Sequence, residues 1–236
     1  MNQLLASLPQ EVRSLLDPDL QRVEMRRGDV LYYADQPVEH VFFPNGGLVS
    51  IVVQMDSGQT AETSVVGRDG LVCSAIVLDV QDAIDQATVE IETDGLRIPA
   101  AAFIKIYRSN ERLRNVVNRY HAMVIAEARQ STACNALHAA DKRLCRWLAH
   151  ARDQTGQDEL QLTHEFLARM LGVRRTTISD GLGPLQVQGI ITLNRGYIKI
   201  LDAEALQAQA CECYGILKKR FVHVFPEWAK PLAAPP

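Results

Sequence analysis

The amino-acid sequence predicts an α+β chain in three parts: an N-terminal antiparallel β-roll of jelly-roll type, one long helix, and a C-terminal helical hairpin followed by a β-hairpin. Three observations predict it. Short β-type runs separated by turn residues fill residues 20–98. After Pro99 the apolar residues recur every three or four positions. Near the end, a glycine turn separates two short amphipathic helices, and two apolar runs flanking Asn194-Arg195-Gly196 follow.

A length of 236 residues suits one large domain or two ordinary ones, and 47% hydrophobic residues are enough for two modest cores. No apolar run approaches the ~20 residues that span a membrane. The stretch Met1–Gln10 lacks the basic and apolar regions of a signal peptide, so the cytoplasm is the expected location. Charge is unevenly distributed. Residues 1–140 carry 12 Lys/Arg against 18 Asp/Glu, whereas residues 141–220 carry 12 against 9. A mildly basic C-terminal part beside an acidic N-terminal part fits one half that meets phosphate and one that does not. The cysteines (Cys73, Cys134, Cys145, Cys211, Cys213) are odd in number and scattered, which argues against a disulfide framework. Cys211-Glu212-Cys213 is a close pair with no second pair nearby in sequence, so it reads as plain helix positions, and neither a metal nor a cofactor is expected.

The first element is a short helix from Pro9 to about Leu16, bounded by Pro18. The β-type runs are Val30–Tyr33, Val41–Phe43, Leu48–Val53, Thr63–Val66 and Thr88–Ile91. The turns between them are Arg27-Gly28-Asp29, Pro44–Gly47, Asp56-Ser57-Gly58, Gly67–Gly70 and Thr93-Asp94-Gly95. A helix from Glu111 to about Ala136 would be roughly 39 Å long. Its apolar seam of Leu113, Val117, Tyr120, Val124 and Ala128 suggests a partner helix, most simply the same helix of a second copy. The alternative is a core helix covered by its own sheet. A further helix spans about Asp141–Ala151, with Leu144, Trp147 and Leu148 on one face.

The functional reading rests on Leu160–Leu201. Thr163 caps a helix that buries Phe166, Leu167 and Met170, Leu171-Gly172-Val173 makes the turn, and a second helix from Arg174 buries Ile178, Leu182 and Leu185. Ile190–Leu193 and Tyr197–Ile200 form a β-hairpin, so the whole is a winged helix-turn-helix. The apolar face leaves Arg174, Arg175, Thr176, Ser179 and Asp180 pointing outward. Arginine pairs with guanine O6 and N7, threonine contacts the thymine methyl, and aspartate accepts from cytosine N4. Thr163, His164 and Arg195 would lie near the DNA backbone. Pro184, after Gly183, is expected to kink or tighten the second helix beyond Leu182. An enzyme is not expected: the β segment holds only His40, and GxSxG, P-loop and HExxH motifs are absent.

The segment LTHEFLARMLGVRRTTISDGLGPLQVQGII with its wing and LDAEAL, together with VFFPNGG and SVVGRDGLV upstream, resembles the Crp/Fnr family of bacterial transcription regulators over nearly the whole length. The resemblance implies a β-roll sensor at 1–107, a dimerisation helix at 108–138, a DNA-binding domain at 139–220 and a tail at 221–236, unstructured after Pro231. It implies a homodimer on a near-palindromic operator in double-stranded DNA, with RNA polymerase as a further partner. It matches Arg175 to the family's guanine-contacting arginine, while Thr176 and Asp180 depart from residues common there.

The same resemblance places the effector pocket at Gly67, Arg68, Asp69 and Gly70, where cyclic-nucleotide binders carry Gly-Glu, and at Gln86 and Ala87, where they carry Arg-Ser. A buried phosphate needs a cation or clustered amide donors. Asp79, Asp82 and Asp85 nearby would repel it, so cyclic AMP is not expected and the small-molecule effector is left unidentified. No cysteine precedes Cys73, which disfavours the family's iron–sulfur mode. For haem, His40, His121 and His138 are the available histidines, and His121 and Cys134 on the long helix are the positions to inspect. The alternative to a sensor is a β-roll that serves only dimerisation or protein contacts.

Overall fold

A computed structural model of the chain describes residues 1–58, 60–78, 80 and 82–229. Asp79 and everything after Ala229, including the tail beyond Pro231, lie outside the described residues.

Two short helices open the chain, α1 (Gln3–Ala6) and α2 (Gln10–Leu16). Asn2 holds α1 in place. Its Oδ1 caps the Leu5 amide at 3.0 Å, and its Nδ2 donates to the carbonyls of Pro44 and Gly70. Seven strands follow: β1 (Gln21–Met25), β2 (Val30–Tyr32), β3 (His40–Pro44), β4 (Leu48–Gln54), β5 (Thr60–Val66), β6 (Gln86–Ile91) and β7 (Thr93–Pro99). They pair antiparallel in two sheets, β1-β7-β3 and β2-β6-β4-β5. The two sheets face each other across Met25, Phe43, Val49, Val89 and Ile98, as alternating in–out side chains require.

The expected β-roll is therefore present, with two differences. β1 is polar outside and offers only the half-buried Val23 and the buried Met25 to the core, so its sequence carries little strand signal. Thr93-Asp94-Gly95 is the start of β7 and not a turn, with Gly95 paired to both Val23 and Pro44. A Cβ on Gly95 would stand 2.5 Å from Met25 Cε and 2.6 Å from the Phe43 carbonyl. The glycine marks a close approach of neighbours within a strand.

Helix α3 (Ala100–Ser109) is separated from the long helix α4 (Glu111–Leu137) by Asn110, whose extended backbone breaks the helix and whose Oδ1 caps the Leu113 amide. Only His138 and Ala139 separate α4 from α5 (Ala140–Thr155), which stops at Gly156 in the left-handed region. The C-terminal part comprises β8 (Glu159–Leu160), α6 (His164–Leu171), α7 (Arg175–Val187), β9 (Ile191–Asn194), β10 (Tyr197–Ile200) and α8 (Ala203–Gln209). The wing gains β8 as a third strand, in the order β8-β10-β9. Helix α7 runs on through Pro184. Gly183 has no Cβ to meet the proline ring, and the Pro184 carbonyl still accepts from Gln188 at 3.0 Å.

The last helix, α9 (Cys213–Val224), crosses the expected domain boundary at residue 220 and packs back along α4. Phe225, fully buried, and Trp228 stack at 4.1 Å, and Arg119 lies 4.7 Å over the Phe225 ring while donating to the Val224 carbonyl. Residues 221–229 are thus part of the packed body. Among the described residues, no helix is long and apolar enough to cross a membrane.

Candidate nucleic-acid interface and sensor cavity

The reading head is assembled from three elements. Thr163 Oγ1 caps α6 by accepting from the Phe166 amide at 3.1 Å, and Gly172 closes α6 in the left-handed conformation, which turns the chain into α7. Ile178, Leu182 and Leu185 anchor α7 to the core shared with Trp147, Phe166 and Leu167. That leaves Arg174, Arg175, Thr176, Ser179 and Asp180 exposed on the opposite face. His164 Nδ1 lies 3.0 Å from Ser179 Oγ, which ties the start of α6 to the middle of α7. The wing turns at Arg195-Gly196, where Gly196 has φ +81°. Thr163, His164, Arg175, Arg195 and Tyr197 line one open cleft of about 440 Å³ between α6, α7 and the wing. Of the eight residues expected at DNA, Thr163, His164, Arg175 and Arg195 line this cleft, and Arg174, Thr176, Ser179 and Asp180 are exposed at the start and middle of α7.

The N-terminal half holds a second cavity of about 310 Å³, between β4, β5, α4 and the residues 75–78, 80 and 82–85. Its walls are mostly apolar: Ile51, Val66, Leu71, Ile76 and Ala83 face Tyr120, Val124, Ile125 and Ala128. Its polar groups include Asp82, Asp85, His121 and the Tyr32 hydroxyl, which donates to Asp85 at 2.8 Å, and among the described residues no lysine or arginine lines it. Burial holds the Asp85 carboxyl above its ordinary range.

None of the residues expected at the effector, Gly67, Arg68, Asp69, Gly70, Gln86 and Ala87, lines this cavity. Gln86 and Ala87 sit in β6, and Ala87 is fully buried in the sheet. Gly67–Gly70 instead faces the end of α5. The Arg68 amide donates to the Gln154 carbonyl at 3.1 Å, and Gln154 Nε2 donates to Asp69 at 2.8 Å. A Cβ on Gly67 would stand 2.6 Å from the Gln154 carbonyl. The segment that resembles a ligand loop is here a latch between the β-roll and the helix that leads into the DNA-binding domain.

A second tether lies beside it. Trp147 Nε1 donates to Glu62 at 3.0 Å and Ser50 Oγ to the other Glu62 oxygen at 2.7 Å, joining β4 and β5 to α5. Desolvation pushes Glu62 up to about 7 despite these two donors, with Glu127 and Glu90 adding to the rise. A carboxyl raised in the folded state holds a proton that the unfolded chain has already lost. Its contribution is present below the ordinary carboxyl range and is lost as pH climbs to about 7. Relative to wild type, Glu62→Gln is therefore expected to gain on the order of 2 kcal/mol between about pH 5 and about pH 8. Urea titrations at both pH values check this, and parallel curves for the two proteins would refute it.

The seam expected for a partner helix needs correction. Leu113, Val117 and Tyr120 are buried in the chain's own core against the β-roll and α3. They cannot also meet a second copy. Val124 and Ala128 are half-buried at the cavity, and the more open apolar positions on α4 are Ile125 and Leu137. Among the histidines, His121 lies at the cavity and His40 on β3 stands apart from it, whereas His138 and Cys134 lie together at the far end of α4.

A β-roll joined by a long helix to a winged helix-turn-helix with an exposed, polar recognition face defines a two-domain transcription regulator. Comparisons with known proteins agree. Residues 142–209 match the Crp-like helix-turn-helix domain and residues 22–110 the cyclic nucleotide-binding domain. The chain is 22% identical over 215 residues to the transcriptional regulatory protein btr of Bordetella pertussis, covering 84% of each chain. Among solved structures it resembles a Crp/Fnr-family transcriptional regulator from Eubacterium rectale (23% identity, TM-score 0.65, 87% of this chain and 96% of that one). It also resembles FixK2 of Bradyrhizobium japonicum (16% identity, TM-score 0.69, 81% and 98%). The chain belongs to the Crp/Fnr family of transcription regulators.

Proposed function

We propose that the chain acts as a cytoplasmic homodimer that reads a near-palindromic operator, with the apolar cavity beside α4 as its control point. The observation that carries the DNA reading is the convergence of Thr163, His164, Arg175 and Arg195 on one cleft beside the exposed start of α7. In this reading Arg175 and Arg174 approach guanine edges, Thr176, Ser179 and Asp180 complete the base contacts, and Thr163, His164 and Arg195 hold the phosphates. Two copies joined along the outward face of α4, through Ile125 and its neighbours, would present two recognition helices about 34 Å apart. RNA polymerase is the further partner of such a regulator.

The effector suited to the cavity is a small, largely apolar molecule. A cyclic phosphate would enter a space that offers it, among the described residues, Asp82 and Asp85 and no lysine or arginine. A second reading, a ligand-independent regulator, is favoured by the two tethers at Glu62 and Gln154, which hold the DNA-binding domain on the β-roll through the protein's own groups.

Selection from a randomised duplex pool, with wild type and Arg175→Ala at two salt concentrations, tests the function. A palindromic consensus is expected, and Arg175→Ala should lose about 1–3 kcal/mol of discrimination at one base pair per half-site. Enrichment of no sequence, with and without added cell extract, would refute sequence-specific binding.

A further inference from the structure

Near the junction of α4 and α5, three cysteines and a histidine from distant parts of the chain come together. Cys134 lies in the last turn of α4, His138 caps that helix, and Cys211 and Cys213 lead into α9. Their donor atoms all lie within 4.8 Å of one another. Cys134 Sγ is 3.5 Å from Cys211 Sγ, and Cys213 Sγ is 3.6 Å from His138 Nδ1. Four donors around one tetrahedral ion, at about 2.3 Å for sulfur and about 2.05 Å for nitrogen, stand roughly 3.6–3.8 Å apart. The separations fit one ion and are too small to surround a multi-iron cluster.

Three features distinguish this group from ordinary core cysteines. Cys134, Cys211 and Cys213 form a buried cluster of their own, apart from the two aliphatic cores. The second nitrogen of His138 lies 3.8 Å from Glu212 Oε1, an ion-pair separation longer than a hydrogen bond, with a carboxylate in reach of the imidazole. Gln130 Nε2 donates to Cys213 Sγ at 3.1 Å, as amides do around a bound thiolate. The guanidiniums of Arg143 and Arg146 lie close enough to the cysteines to interact with their charge. Three thiolates and a divalent ion leave one net negative charge for them to offset.

We propose that Cys134, His138, Cys211 and Cys213 bind a single Zn²⁺ that fixes the junction between the long helix and the DNA-binding domain. Binding releases three thiol protons to solvent and forms three Zn–S bonds and one Zn–N bond. The ion joins the end of α4 to the segment that follows the helix-turn-helix, across a connection of only His138 and Ala139. The set is mainly sulfur, which favours zinc over oxygen-seeking ions such as Mg²⁺ or Ca²⁺.

Cobalt titration of the reduced full-length chain tests the site, with folding checked by circular dichroism. The expected result is saturation at about one Co²⁺ per chain, with thiolate-to-metal charge-transfer bands and the intense d–d bands of a tetrahedral site, both abolished by Zn²⁺. Cys213→Ser should weaken binding by more than about 100-fold. Cys213→His should keep an altered tetrahedral spectrum, and Cys73→Ser should behave as wild type. Folded wild type without charge-transfer bands would overturn the proposal. So would equal binding by Cys73→Ser and Cys213→Ser, or a Cys134–Cys211 disulfide in protein isolated without oxygen. The readout is the metal itself, so its failure would leave the DNA reading untouched.

Discussion

Gly70→Ala is expected to destabilise the fold by about 3 kcal/mol or more, the upper range for forcing volume into a packed core. An alanine Cβ at this position would stand 2.2 Å from the Tyr120 hydroxyl and 2.8 Å from its Cζ. Gly70 lies within the backbone, and Tyr120, although it borders the cavity, is packed into the core on its other sides. Tyr120 is 4% exposed in the main core. Gly70 is held by Asn2 through its carbonyl at 2.7 Å. The backbone conformation of Gly70 is not among the left-handed ones, so the effect is one of contact alone. Tyr120→Phe removes the nearest atom. The double variant Gly70→Ala/Tyr120→Phe should then be more stable than the sum of the two single losses predicts. Urea denaturation of the four proteins checks the cycle. Strict additivity, or a loss below about 1 kcal/mol for Gly70→Ala, would show that the approach is not tight.

That glycine also shows where sequence reading stops. Gly67–Gly70 is a turn by composition and a ligand loop by resemblance. Its role follows from Gln154 and Tyr120, which lie some fifty to ninety residues away in the chain. The helix-turn-helix was legible because its signals are local: the Thr163 cap, the Gly172 turn and the spacing of Ile178, Leu182 and Leu185 all lie within a single hairpin. β4 and β6 were legible for the same reason. β1 was not, since an edge strand with one buried and one half-buried apolar residue has little pattern to detect. The periodicity of α4 identified a buried stripe correctly but could not say what buries it, and Leu113, Val117 and Tyr120 turn out to face their own β-roll. Cys211 and Cys213 were visible as a pair. Their likeness to a metal site depends on Cys134 and His138, brought in by the packing of α9 on α4, which no local spacing encodes.

The tether at Trp147 should give the other large effect. Its ring is 5% exposed and packs edge-on against Phe166 with centroids 5.6 Å apart. Its cluster also contains Leu48, Val65 and Ile91 of the β-roll, so the ring belongs to both halves of the molecule. Trp147→Ala is expected to cost about 3–5 kcal/mol, from lost burial and a cavity that the surrounding helices fill only in part. It also leaves Glu62 with Ser50 as its one side-chain donor among the described residues. Trp147→Phe separates the two contributions in large part, because it keeps a six-membered aromatic ring and removes the N–H with the rest of the five-membered ring. Its cost should be about 1–3 kcal/mol, the range for an unpaired buried acceptor. Losing a donor disfavours the carboxylate, so the Glu62 carboxyl should move above its wild-type position near 7. The stability lost with rising pH would then extend to higher pH in Trp147→Phe than in wild type. In Trp147→Phe/Glu62→Gln that loss should disappear. Urea midpoints measured across neutral pH decide the matter, and a Trp147→Phe profile that overlays wild type would mean that the indole N–H does not hold the two domains together through Glu62.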